Sequence, residues 1–316
     1  SAREAARAIE ACRSLSGSSV TAILLTRRWV RWAAFGVAAI LAAYVAGALW
    51  IQWGQERDRL PPFEPHQLTT RPGAEQDPAI SPDGTAVAYV ADEGRGIDLW
   101  VQDTRGGQPL RLTDDGEGNG DPSWFPDGSS VAFTSHRGGE TAIWKVSRFG
   151  GAPVRVLGDA SEPAVSPEGR RIAFARVEKG EFTCIWVAPL DDPNSAKRLT
   201  GDGDGTWVHA HPAWSPDGKT ICYQDWNDLW LVPAEGGKAV RLTHDDPVDC
   251  DPCWSRSGSF VYFDSFREGQ FALWRVRVKD GKLERVTLGT GAERFPSLSK
   301  DGKRLAYATT GKWEAI

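Results

Sequence analysis

Two rhythms of apolar and polar residues divide the chain. From Trp32 to Trp53 runs "WAAFGVAAILAAYVAGALWIQW", 22 residues without a charge. Beyond it the apolar residues come in short bursts. The triplets "VAY", "VAF", "IAF", "ICY", "VYF" and "LAY" each follow a turn tetrapeptide: SPDG at 81, FPDG at 125, SPEG at 166, SPDG at 215, SRSG at 255 and SKDG at 299. The spacings are 44, 41, 49, 40 and 44 residues. Three residues before each turn stands a proline: Pro78, Pro122, Pro163, Pro212, Pro252 and Pro296. About a dozen residues after most of the triplets comes Trp100, Trp144, Trp186, Trp230 or Trp274, and a segment such as "LRLT" or "VRLT" closes the unit.

A period of 40–45 residues holding several short strands predicts a β-propeller. One such sheet has two apolar faces and cannot bury them alone. Set radially, each face packs on the next blade. The turn tetrapeptide works through its residue types: proline fixes φ, aspartate bonds nearby backbone and glycine takes positive φ. The expected fold is all-β, a six-bladed propeller over 66–316. Its blades lie near 74–113, 118–157, 159–200, 208–243, 248–287 and 293–316. The last unit has only the start of a third strand at Trp313–Ile316, and "HQLTT" at His66–Thr70 matches the closing strand of the others, so it is expected to join the two ends of the ring.

The uncharged stretch is long enough, as a helix, to cross a hydrocarbon core of roughly 30 Å. Trp29 and Trp32 stand at one end and Trp50 and Trp53 at the other, as interfacial anchors do. Arg27, Arg28 and Arg31 crowd the N-terminal flank, whereas Arg57 and Arg59 are mixed with Glu56 and Asp58 on the other. The positive-inside rule then puts the N-terminus in the cytoplasm and the propeller outside the cell (inner) membrane. The expected divisions are 1–26 as the end of a cytoplasmic domain with its juxtamembrane linker, 27–54 as a single transmembrane helix and 55–65 as a linker. Ala39, Ala43 and Gly47 form a small-residue stripe through which two such helices could pair as a homodimer.

Charge sharpens the division. Of 37 basic residues, eight arginines fall in residues 1–59 against four acids, giving +4; the remaining 29 bases and 38 acids give −9. An acidic body argues against nucleic-acid binding by the propeller. With no Met, the chain is expected to be a piece of a longer protein.

"DPAISPDGTAVAYVADEGRGIDLWVQDTRGGQPLRLT" (Asp77–Thr113) resembles the TolB-type propeller repeats of bacteria, over about residues 64–316. Such propellers serve as docking domains, sensor ectodomains and peptidase appendages, so the resemblance implies the fold more firmly than a function. Near the N-terminus, Ser1 with Glu4 forms a capping box, and Ala2, Ala5, Ala6, Ile9 and Cys12 make one apolar helical stripe. "SAREAARAIEACRSLSGSS" resembles the last helix of bacterial Ser/Thr protein kinase domains. A membrane-bound winged-helix regulator is the alternative parent. No Gly-rich nucleotide loop, H-R-D, D-F-G or G-x-S-x-G occurs. The expectation is therefore a sensor propeller that binds a protein, peptide or small ligand, with no catalytic residue and no cofactor. The competing expectation is an appendage of a peptidase whose hydrolase domain lies elsewhere.

Candidate chemistry sits just before each inner-strand proline: Asp77, Asp121, Glu162, His211, Asp251 and Phe295. Equivalent positions in a propeller share one depth around the central channel, so four carboxylates and a histidine would ring its mouth and could hold a cation or a basic peptide segment. Aspartate before proline can equally serve as a local turn cap. Cys250 and Cys253 form a C-x-x-C motif, but Cys253, Cys222 and Cys184 occupy slots held elsewhere by Ala or Ser, so they are expected as small buried hydrophobes rather than zinc ligands. "DDGEGNGD" (Asp114–Asp121) and "GDGDG" (Gly201–Gly205) are expected as solvated loops between blades. Trp207 and Trp226, outside the repeated tryptophan slots, mark a possible docking face.

Overall fold

In a computed structural model, the repeats become sheets. The structure describes residues 32, 35–47, 65–69, 75–178, 182–201, 208–289 and 291–310. The chain divides into two units, Ser1–Glu56 and Arg57–Ile316. The second contains five four-stranded antiparallel sheets and one two-stranded sheet. The first blade is Glu75–Ile80, Ala86–Asp92, Ile97–Asp103 and Leu110–Arg111, paired in chain order as a meander. The next four begin with the inner strands Asn119–Trp124, Ser161–Val165, His209–Trp214 and Asp249–Trp254. The sixth position holds only Ala292–Leu298 and Leu305–Thr310.

The turn tetrapeptides close as their residue types require. Gly84 N–H bonds the Ser81 carbonyl at 2.8 Å, Asp83 accepts from Ser81 Oγ at 2.6 Å and from Thr85 N–H at 3.0 Å, and Gly84 takes a φ of 71°. Each apolar triplet is the centre of a second strand. Its side chains meet the neighbouring blade, so the core is a series of slabs between blades. Leu99 of the first blade packs with Val131 and Phe133 of the second. Ile143 packs with Phe174, Ile185 with Ile221 and Leu229 with Phe263 in the slabs that follow. Each such side chain contributes about 1.5–3 kcal/mol, and none of it is available to an isolated blade.

Near the axis, six hydrogen bonds join the inner strands in succession by two alternative chemistries. Where an inner strand carries Trp, the indole N–H bonds the carbonyl of an alanine one blade back: Trp124 to Ala79 at 2.8 Å, Trp214 to Ala164 at 2.9 Å and Trp254 to Ala213 at 3.0 Å. Where it carries an aliphatic residue, its own backbone N–H bonds a side chain one blade back: Ile80 to Ser297 Oγ at 3.0 Å, Val165 to Ser123 Oγ at 3.1 Å and Leu298 to the Cys253 sulfur. The Ile80–Ser297 bond joins the sixth sheet to the first blade. Lys300 N–H, bonded to the Pro82 carbonyl at 3.1 Å, makes the same connection.

Two expectations need correction. Among the described residues there are five four-stranded blades where the sequence predicts six, and residues 66–69 of the closing strand expected at His66–Thr70 are not in a strand. A closing strand needs a third strand beside it. The segment expected to supply one, Trp313–Ile316, lies outside the described residues. Thr69 Oγ still donates to the Glu75 carboxylate. In the predicted membrane span, residue 32 and residues 35–47 are helical and exposed. Among the described residues no helix is long and apolar enough to cross a membrane. The rest of that span, the N-terminal amphipathic helix and the 55–64 linker lie outside the described residues.

Candidate functional site

Every inner strand carries a β-bulge where the sequence places its proline. Asp77 illustrates the geometry: the register with the second strand shifts between Gln76 and Ala79. At the bulge the residue before the proline adopts left-handed backbone. The φ values are 50° at Asp77, 51° at Asp121, 53° at Glu162, 51° at His211, 50° at Asp251 and 57° at Phe295. A residue before proline favours extended backbone, and a non-glycine residue in this region costs on the order of 1–3 kcal/mol. The cost recurs six times. All six residues line one cavity of about 880 Å3.

The carboxylates bind the next blade rather than their own turn. Asp77 Oδ2 accepts from Asp121 N–H at 3.5 Å, and Glu162 Oε2 accepts from His211 N–H at 2.5 Å. Glu162 N–H in turn bonds Thr134 Oγ at 2.9 Å, and the Thr134 hydroxyl also serves Asp121. These contacts between blades replace the local capping that the Asp-Pro pairs suggest. On the far side of the ring, His211 Nδ1 lies 3.1 Å from Asp251 Oδ1. Arg294 reaches from the sixth sheet to Asp251 at 3.2 Å and to the buried Asp264 at 3.0 Å. Its guanidinium lies over Phe271 and Phe295, 4.4 and 4.6 Å from the ring centres.

This distribution is lopsided. Asp251 has two cations, whereas Asp77, Asp121 and Glu162 on three successive blades make no ion pair with a described residue. Burial and the Asp121 carboxylate push Asp77 above the ordinary carboxylate range. Burial and Glu162 do the same to Asp121. His211 moves the other way in charge. Burial alone would lower it, but Asp251, Glu162, Asp121 and Asp77 together hold it protonated, up to about 9. Burial and Asp251 raise Asp264 well above the ordinary carboxylate range, although Arg294 opposes them. The open side of the ring is therefore a desolvated carboxylate surface, suited to an ammonium or guanidinium group.

A chain of this composition and geometry matches known proteins. A family model described as the TolB β-propeller domain matches residues 64–225 and again residues 161–315. The chain belongs to the TolB β-propeller family. An uncharacterised protein of Agrobacterium fabrum is 29% identical over 153 residues, covering 47% of this chain and 50% of its own length. An uncharacterised peptidase of Bacillus subtilis is 29% identical over 162 residues, covering 47% of this chain and 23% of its own. The crystal structure of TolB from Acinetobacter baumannii superposes with a TM-score of 0.63 at 20% identity, covering 73% of this chain and 59% of that one. That last likeness is one of fold. The matched stretches thus span half or less of the two curated relatives.

The other sequence candidates lie elsewhere. Trp226 is 57% exposed at the tip of a tight hairpin where Asp225 pairs with Asp228, and Trp207 lies outside the described residues. Cys222, Cys250 and Cys253 are free thiols and Cys184 is buried, and burial pushes Cys250 and Cys253 up to about 12. Among the described residues no group of three or more His, Cys, Asp or Glu is placed to hold a metal ion. In the Asp114–Asp121 loop, Asp114 pairs with Arg111 at 2.6 Å and Asp115 with Arg137 at 2.8 Å. Sequence reasoning missed Arg294 and Asp264. Arg294 directly precedes Phe295, the one residue of the ring without a polar side chain, and that break in the pattern was the available signal.

Proposed function

We propose that this propeller is a binding module that receives a protein or peptide by drawing a cationic group into the carboxylate side of its channel mouth. The observation that carries this reading is the lopsided ring: Asp77, Asp121 and Glu162 without an ion pair among the described residues, beside Asp251 with two. A ligand ammonium would supply the missing counter-charge, and Phe295 and Pro78 offer apolar wall beside it.

The module is further proposed to stand outside the cell membrane on the anchor at 32–53, as the sensor domain of a receptor-type Ser/Thr kinase. Support for the anchor is the uncharged stretch, its tryptophans and Arg27, Arg28 and Arg31. Support for the kinase is the resemblance of Ser1–Ser19 alone. A winged-helix parent would place the propeller on the same side. A second reading, an appendage that admits substrates to a peptidase domain, is favoured by the Bacillus subtilis relative.

Thermal unfolding of the full chain with trilysine tests the binding claim. The expected result is a melting temperature that rises with peptide concentration, and no rise in an Asp77→Asn, Asp121→Asn, Glu162→Gln variant. A wild-type chain indifferent to trilysine, or a variant that responds equally, overturns it.

A further inference from the structure

The opposite end of the same cavity narrows the ligand, on the reading just proposed. At the second position of the turn tetrapeptide, the first four blades carry Pro82, Pro126, Pro167 and Pro216, and all four line the cavity. The fifth blade and the sixth sheet carry Arg256 and Lys300 there, and these line it too. The substitution is specific to two neighbours in the ring. Both side chains are exposed, and Arg256 helps to hold the Asp301 carboxyl below the ordinary range. Asp301 beside them accepts from Ser299 Oγ at 2.7 Å and from Lys303 N–H at 3.0 Å. Lys300 is held in place by its backbone bond to Pro82 at 3.1 Å.

The channel is therefore polarised, with carboxylates at one mouth and, at the other, two cations beside the Asp301 carboxylate. Between them the wall alternates small residues, among them Ala79, Ala164 and Ala213, with large ones, among them Trp124, Trp214 and Trp254. Five residue steps separate Asp77 from Pro82, at most about 17 Å at the rise of a strand and less across the bulge. We propose that the channel takes a short linear peptide with both ends free. Its ammonium sits among Asp77, Asp121 and Glu162, and its carboxylate sits at Arg256 and Lys300. An extended residue spans at most about 3.3–3.6 Å, so four to five residues bridge the two poles. A cationic side chain alone would satisfy only one mouth. The two charged ends fix its direction.

Calorimetric titration of the full chain with pentaalanine tests this, using three forms: free at both ends, N-acetylated, and C-amidated. The free peptide is expected to bind. Acetylation and amidation are each expected to weaken binding by about tenfold or more, the scale of one lost charge-assisted contact. An Arg256→Ala, Lys300→Ala variant, both positions being exposed, should bind the free peptide no better than the wild type binds the amide, and should bind the amide as the wild type does. Equal binding of the free and amidated peptides, an unaltered preference in the double variant, or no binding of pentaalanine overturns the proposal. If trilysine still raises the melting temperature in any of those cases, the acidic mouth survives as a cation site and only the two-ended ligand is lost. If neither peptide acts, both readings fall.

Discussion

Two rows of polar residues run around the propeller two positions apart on the same strands, and they meet opposite fates. The outer row, at Glu75, Asn119, His209, Asp249 and Glu293, meets the threonine that ends the preceding unit. Thr69 and Thr287 donate to Glu75 and Glu293, Asn119 Nδ2 donates to Thr113 Oγ at 3.3 Å, and His209 Nδ1 lies 2.7 Å from Thr200 Oγ. In four units that same threonine oxygen also accepts a third-strand N–H: from Leu99 at 2.9 Å, Ile185 at 2.9 Å, Leu229 at 3.0 Å and Leu273 at 3.0 Å. The inner row, at Asp77, Asp121, Glu162, His211 and Asp251, opens on the cavity instead. Residue type does not separate the rows, since both hold carboxylates and a histidine. What separates them is the partner. One row is closed by the protein's own hydroxyls, and the other keeps part of its bonding capacity for something else.

The largest test of that contrast removes one acid from each row. The Asp249 side chain is fully buried and bonds Ser265 Oγ at 2.6 Å and Arg267 at 3.0 Å, while Arg267 is itself only 11% exposed. Asp249→Ala strands part of that guanidinium and is expected to cost about 3 kcal/mol or more in chemical unfolding. Asp77→Ala removes a carboxylate already pushed up by burial and by Asp121, and is expected to change stability by less than about 1 kcal/mol while abolishing the trilysine response. Comparable losses at the two positions would show that both rows are scaffold.

A smaller test addresses the threonine. Thr200→Val keeps the shape but leaves Ile185 N–H and His209 Nδ1 without their oxygen, and should cost about 1–3 kcal/mol. A neutral result would mean that the link is incidental and that burial alone holds the outer row.

The sequence made the scaffold legible because its signals are local. A turn tetrapeptide, an apolar triplet and a tryptophan each act within one blade, and their spacing alone gives a radial repeat of sheets. It also placed Cys253 correctly in a slot of small residues, but not its task. That task depends on Leu298, one blade away, and on whether the inner strand there carries Trp or an aliphatic side chain. The left-handed backbone at Asp77 and its equivalents was hidden for a related reason. The residue before a proline is biased toward extended structure, and only the bulge against the second strand reverses that. Arg294 was signalled only by the break at Phe295, because its partners, Asp251 and Asp264, come from another blade. The closing strand was overread: "HQLTT" has the pattern of one, yet its described residues, 66–69, are in no strand.

The smallest expected effect is also the most selective, because it uses two histidines of one strand. Burial drives His209 down to about 4, whereas the carboxylates around His211 raise it to about 9. His209 faces Thr200, Tyr223 at 5.0 Å between ring centres, and Asp225 at 3.7 Å. His211 faces Asp251, Glu162, Asp121 and Asp77, with Arg294 beyond Asp251. An unfolded histidine titrates near 6.5, so the two act in separate windows. As pH falls from about 6.5 toward 4, the unfolded chain takes a proton at 209 that the folded chain refuses, and stability is lost. Below 6.5 both states are protonated at 211 and its contribution is fully present; it disappears as pH rises from 6.5 through about 9. Melting temperatures of His209→Asn, which copies Asn119 of the second blade, should therefore lose slope only on the acid side. Those of His211→Asn should lose slope only on the alkaline side. The alkaline change should be modest, since the His211 side chain is 36% exposed and partly screened. One variant flattening both limbs would mean that the two rows titrate as a single network, and the division between closed and open rows would fail.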